Sequence, residues 1–292
     1  MAIRTILVPM SGGASGDTAL DAAIVVGRRA GAHVEALHVA PDPRDAVPMV
    51  GDGASASMIQ QLIEAAAHDA ERRAERARAA FDVRVEAGAL LRMDQPPPPD
   101  AATRALTLGW RHTVGREDEV VASRGRLFDL IVVGRPGDDA DIAPETTLEA
   151  ALMESGRPVL VSPPVLPSTL ATRVAIAWNG STAAARAVAS SGPFLAKAQS
   201  VLILEGDGAA ADGASAEELA AMLAWRGLAP TIRRFRSDEA GIGPALLDAA
   251  AAEAADLLVM GGYGHNRLRE MIFGGATIDA MFASNLPLLM TH

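Results

Sequence analysis

A chain of 292 residues has room for two ordinary domains, and its 49% hydrophobic and 21% charged residues exclude disorder as its main state. Thirty-six acidic against 26 basic side chains give a formal charge of -10, which argues against a nucleic-acid or anionic-membrane partner, since no basic patch is concentrated anywhere. With no cysteine, disulfides, thiolate nucleophiles and cysteine-based zinc sites are excluded.

The opening "MAIRTILVPMSGG" is too brief in its apolar run for a signal segment or a membrane span, so a cytoplasmic protein is expected. Aliphatic Ile6 to Val8 predicts a strand, Asp17 to Ala30 a helix, and Val34 to Val39 a second strand. "ERRAERARAAF", Glu71 to Phe81, spaces its arginines and glutamates as the solvated face of a helix with i,i+4 pairs. The four prolines of "MDQPPPPDAATR", from Met93, predict a surface loop with polyproline character.

"FDLIVVGRPG" from Phe128 returns at Ala255 as "ADLLVMGGYG", with the Asp, the Leu, an aliphatic run and Gly-x-x-Gly in the same places. Each copy runs on to a short Pro-led apolar stretch, "RPVLVSPP" from Arg157 and "LPLLMTH" from Leu286. The starts agree too, "ILVPMSGG" from Ile6 against "VAIAWNGS" from Val174. A tandem duplication explains all three matches, and the proline-punctuated "SPPVLPSTLATR" divides the chain into domains 1–162 and 172–292. Continuous Val, Ile and Leu runs alternating with alanine-rich helices predict α/β architecture: two Rossmann-like domains, each an open, mostly parallel sheet with helices on both faces. Trp178 and Trp225 read as packing residues.

The segment "MGGYGHNRLREMIFGGAT", Met260 to Thr277, follows an expected strand and precedes an expected helix. Glycine admits an anion close to the backbone, and a helix N-terminus offers unpaired N–H groups to it. Thr277 either adds a hydroxyl to a phosphate or caps its own helix. Arg267, Arg269 and His265 either face such a phosphate or are solvated. Neither a Walker-type Gly-Lys-Ser/Thr nor the dinucleotide fingerprint G-x-G-x-x-G at a first strand is present. Ser181 lacks the elbow spacing of a hydrolase serine.

Together the tandem starts and the closing "MGGYGHNRLREMIFGGAT...LPLLMTH" resemble the universal stress protein family in its two-domain form. The resemblance implies two five-stranded, adenine nucleotide alpha hydrolase-like domains and ATP recognition through Gly-2x-Gly-9x-Gly-Ser/Thr, matched by Gly261, Gly264 and Gly274. It implies phosphate contacts at Gly274, Gly275, Ala276 and Thr277, with Met260 beside the base or ribose. Ala177 and Asn179 fall where the family has a Pro and an Asp near adenine and ribose. Gly275 departs from the family's Ser/Thr, and Asn179 from its Asp, which removes one hydroxyl donor and replaces a carboxylate with an amide.

The first copy keeps Gly134 and Gly137, but has no glycine between Gly137 and Gly156, has Ser11 in place of the Asp, and carries Asp138, Asp139, Asp141 and Glu145 where phosphates would sit. One ATP site per chain is therefore expected, in domain two, with Mg²⁺ arriving on the nucleotide. No positioned base or metal-ligand set for phosphoryl transfer can be assigned, so slow hydrolysis is the most activity expected. The resemblance also implies pairing of "RPVLVSPP" with "LPLLMTH" within the chain and allows a homodimer. A scaffold that binds no nucleotide and acts through dimerisation or a protein partner stays open beside the nucleotide reading.

Overall fold

The computed structural model describes residues 2–45, 55–98, 105–135, 145–207, 213–236, 241–262 and 285–292. Two compact units divide the chain, one of Arg4–Ser155 and one of Gly156–His292 with Met1–Ile3. The contact division thus counts the strand at 159–162 with the second unit, where the sequence repeat groups it with the first copy.

The first unit contains β1 (Thr5–Pro9), α1 (Ala14–Ala30), β2 (His33–Ala40), α2 (Ala56–Ala87), β3 (Leu91–Arg92), β4 (Thr107–Val114), α3 (Glu117–Gly125), β5 (Leu130–Gly134) and α4 (Glu145–Glu154). Its strands lie in the order β3-β4-β2-β1-β5, and the ladders β1–β2, β1–β5, β2–β4 and β3–β4 are all parallel. Ile6, Leu7, Val8 and Leu130 to Val133 are sealed from solvent, which is why these runs read as unbroken aliphatics instead of alternating.

In the second unit, β6 (Val159–Ser162) precedes β7 (Arg173–Trp178), α5 (Thr182–Ser190), α6 (Gly192–Leu195), β8 (Ser200–Gly206) and α7 (Ala216–Ala224). β9 (Thr231–Phe235), α8 (Ile242–Ala252), β10 (Leu257–Gly261) and β11 (Leu288–Thr291) complete it. The parallel order is β9-β8-β7-β10-β11. β6 closes the β11 edge antiparallel, with Val161 opposite Leu288 and Val159 opposite Met290, so the two Pro-led stretches do pair. Strand order reverses at β1/β5 in one unit and at β7/β10 in the other, the place where open α/β sheets leave a crevice at their carboxyl ends.

The repeated Asp has a structural task in both copies. Asp129 accepts from the backbone N–H of Arg4 at 2.8 Å and of Thr5 at 3.0 Å, and Asp256 accepts from those of Thr172 and Arg173, each at 2.8 Å. Each carboxylate thereby pins the start of β1 or β7 to the start of its neighbour, β5 or β10, satisfying amides that the ladder leaves over.

Two expectations need correction. The i,i+4 pairs expected of α2 are present, Arg73 with Asp69 at 2.8 Å and Arg78 with Asp82 at 2.7 Å. The helix is not only a solvated face, however, because Arg84 reaches Asp21 of α1 at 2.6 Å and Ala70, Ala77 and Phe81 are buried. Trp225 is 92% exposed and so is no packing residue; it stands at the C-cap of α7, where the chain leaves the helix face that buries Leu219 and Leu223. Residues 93–98 of the proline stretch lie outside regular elements, although Asp94 accepts from the Trp110 backbone N–H at 2.9 Å and ties the loop to β4.

Candidate functional site

At the carboxyl end of the second unit's sheet, β7 and β10 run side by side with Ile176 opposite Val259. Ala177 and Met260 each lie one residue further along those two strands, Ala177 half-buried and Met260 buried. Asn179 is exposed in the loop after β7, where its Oδ1 accepts from the Ser181 backbone N–H at 3.1 Å, so its side-chain oxygen shapes the turn. Ser181 caps α5, its Oγ accepting from the Ala184 N–H at 3.2 Å, which accounts for this serine without any catalytic role. Gly180 has φ +71 and lies against the backbone of Gly213, so the loops after β7 and β8 meet. Trp178 donates its indole N–H to Ala214 O at 2.8 Å and packs beneath that junction.

Gly261 ends β10 directly under the first turn of α5. A Cβ there would stand 2.6 Å from the Ala183 carbonyl carbon and from the Ala184 nitrogen. Gly134, its counterpart in the first copy, is held the same way: a Cβ would stand 2.5 Å from the Ser15 carbonyl carbon in α1. This first glycine of Gly-x-x-Gly is thus required by strand–helix packing in both units. Sequence reasoning assigned it to a ligand alone, and the fact that both copies have it was the available clue to packing. Gly264, Gly274, Gly275, Ala276 and Thr277, like His265, Arg267 and Arg269, lie outside the described residues.

The first unit presents a different carboxyl end. Arg76 of α2 donates to Gly12 O at 2.9 Å, and Gly12, at φ +83, has no room for a Cβ against the carbonyl of Arg73. Beside this contact is a cavity of about 340 Å³, lined among others by Ser11, His38, Arg73, Arg116, Glu117 and Thr147. His38 is 2% exposed; its Nδ1 lies 2.6 Å from Met10 O, and its Nε2 is buried without a partner, as is Ser11 Oγ. Burial pulls the His38 imidazole below its ordinary value, with Arg73 and His112 adding to the effect against the Met10 hydrogen bond. Thr147 donates to Glu117 Oε1 at 3.1 Å, yet desolvation still pushes that carboxyl above its ordinary value. Of the acidic residues expected to occupy the phosphate position, Glu145 begins α4 and is exposed, while 138, 139 and 141 lie outside the described residues.

Sequence reasoning missed this pocket. The signal was a histidine inside the otherwise buried β2, "HVEALHVA", where an unpaired polar group is costly. At the matching place in the second unit stands Glu205, 6% exposed and committed: it accepts from the Ala216 N–H at 3.0 Å and from Arg234 Nε at 2.9 Å.

Among the described residues, no three His, Cys, Asp or Glu side chains are grouped to hold a metal ion, and no helix is long and apolar enough to cross a membrane.

Comparison with known proteins adds the following. Residues 2–96 match the sequence model of the universal stress protein family. No curated protein sequence matches the chain. A universal stress protein from Archaeoglobus fulgidus is similar in structure with a TM-score of 0.60 and 16% identity, covering 98% of this chain and 97% of that one. A protein of the same family from Pseudomonas aeruginosa gives 0.52 and 13%, over 99% and 93%. A universal stress protein solved in complex with cAMP gives 0.31 and 17%, over 56% and 100%. At these identities the full-length likeness is one of fold. The sequence match falls in the first copy, not in the glycine-rich close of the second. Residues 2–96 thus carry the sequence likeness to the universal stress protein family, and the second unit repeats the doubly wound strand order of the first.

Proposed function

We propose that the second domain, 172–292, binds an adenine nucleotide, ATP with its Mg²⁺, at the switch point between β7 and β10, and that domain 1–162 does not. The observation that carries this reading is the position of Gly261: it ends β10 beside β7, so the glycines at 264 and 274 follow from the carboxyl edge where α/β sheets take their ligands. Ala177, Met260 and the Asn179 turn lie at that same edge and would meet base and ribose. Backbone N–H groups of Gly274, Gly275, Ala276 and Thr277 would receive the phosphates. With no assigned base or metal-ligand set, the role is that of a cytoplasmic stress-response or signalling module whose ATP turnover is slow at most.

The test is to denature freshly purified protein and identify what it releases by mass spectrometry, followed by equilibrium dialysis against ATP. Recovery of an adenine nucleotide, or saturable ATP uptake, is expected. A protein that releases none and takes up none at millimolar ATP, with or without Mg²⁺, overturns the reading. One observation favours the scaffold alternative: the packing of Gly134 on Ser15 is a reason to keep that first glycine that is independent of any ligand.

A further inference from the structure

We infer that the first unit carries a binding site at the amino end of its sheet, beneath the proline segment, for a small organic carboxylate with an apolar or aromatic body.

Arg4 and Thr5 at the start of β1, His33 at the start of β2 and Thr107 at the start of β4 line a cavity of about 470 Å³, within the roughly 300–1,000 Å³ of small-molecule sites. Since these strands are parallel, this is the opposite end of the sheet from Ser11 and Gly12. Its outer wall, Met93 to Pro97, is fixed by the protein itself: the Met93 N–H donates to Leu108 O at 2.8 Å, and Asp94 accepts from the Trp110 N–H at 2.9 Å. Gly109 lets that wall settle on β4, because a Cβ there would stand 2.9 Å from Met93 O and 3.0 Å from the His33 ring.

Charge gives the class of ligand. Glu35 is gripped by Arg124 through both Nε and Nη2, and Asp94 by Arg92 at 3.0 Å, so each carboxylate at the cavity already has its cation. The Arg111 side chain has one long contact, Nε to Glu35 at 3.4 Å, and that of Arg4 has two, to Ala30 O at 3.5 Å and Gly31 O at 3.4 Å. Burial pulls the His33 imidazole below its ordinary value, so at neutral pH it adds no charge. The cavity thus keeps surplus positive charge in a chain whose formal charge is -10. Arg111 lines the cavity and is 48% exposed, and its planar fork matches a carboxylate bidentately. A dianion such as a phosphate would bring a second negative charge toward Glu35 and Asp94, which favours the monoanion. Met93, Pro96, Pro97, Leu127 and Phe128 form the apolar wall, and Leu127, 74% exposed, gains cover from an apolar body.

Saturation-transfer NMR and calorimetry on the whole chain test the site with phenylacetate, its neutral counterpart 2-phenylethanol, and phenyl phosphate as the dianion. Phenylacetate should bind, and the alcohol at least about tenfold more weakly, for want of the charge-assisted hydrogen bonds. Arg111→Gln should weaken phenylacetate by about tenfold or more for the same reason. Leu127→Ser, on a side chain too exposed to matter for folding, should weaken acid and alcohol alike by about threefold. Gly274→Val should leave phenylacetate binding unchanged, which separates this site from the proposed nucleotide site. The three probes on the wild-type chain decide even if a variant fails to fold. No binding at tens of millimolar phenylacetate, the alcohol or phenyl phosphate binding as tightly as the acid, or affinity unchanged in Arg111→Gln would each overturn the inference.

Discussion

Trp178 lies opposite Glu205 in the second unit, and one residue beyond the Pro9–Leu37 pair in the first, Met10 hydrogen-bonds to His38. The two places are equivalent, but the polar side chains there are treated differently. Glu205 is held by the start of α7 and by Arg234, so the second unit closes its polar account beneath the loops. His38 has one nitrogen satisfied and one not. The crossover helices differ to match: 32 residues in α2, whose middle packs on Gly12, against nine in α7. A duplicated fold has kept its frame and changed what stands at the mouth of each sheet.

The largest expected effect tests the shared frame. Gly134→Val and Gly261→Val should each cost about 3 kcal/mol or more in denaturant unfolding, because the new side chain meets helix backbone and not a movable side chain. If Gly261→Val unfolds like wild type, the packing equivalence fails and the glycine belongs to a ligand alone. Next come the carboxylate clamps. Asp256→Ala, at 4% exposure, should cost about 3 kcal/mol, and the half-buried Asp129→Ala about 1–2 kcal/mol, since both leave two amides unpaired but the Asp256 carboxylate and its bonds are the more buried. Equal costs would mean that the two clamps are equally solvated. Ser181→Ala should remove about 1 kcal/mol by uncapping α5, while Gly13, which offers α1 no side-chain cap, should tolerate serine with little or no loss.

The subtlest effect is a slope with pH. His38 and His33 are both pulled below the ordinary 6.5, chiefly by desolvation. Between the folded and unfolded values the unfolded chain binds more protons, so their contribution is complete above about pH 6.5 and is lost as pH falls through the folded values. His38→Phe should flatten that slope without erasing the His33 part. Glu117 has the opposite sign: its raised value means the folded state loses stability as pH rises past the ordinary carboxylate range, so Glu117→Gln should stabilise at pH 7 and make no difference in strong acid. Unfolding midpoints measured from pH 4 to 8 check both; a parallel shift at every pH would contradict them.

Much of the frame was legible in the sequence because parallel strands buried on both faces must be continuous aliphatic runs. Ile6 to Val8 became Thr5–Pro9, and the matched Asp-Leu starts became the paired β5 and β10. The switch point followed from the same repeat. The first glycine's packing role was not legible, because a sequence shows that Gly134 and Gly261 correspond but not that α1 and α5 press on them. Nor was the Asp69–Arg73 pairing, since several acids lie within helical reach of each arginine and geometry chooses among them. His38 was overlooked because one histidine in a buried strand is more often satisfied than not, and only the distances reveal that half of it is not.

The central claim is one nucleotide per chain, in the second domain. Calorimetric titration of the full chain with Mg-ATP measures it directly: the account predicts one ATP per chain, binding abolished in Gly274→Val and unchanged in Ser11→Ala. Two ATP per chain, or undiminished binding in Gly274→Val, would contradict it.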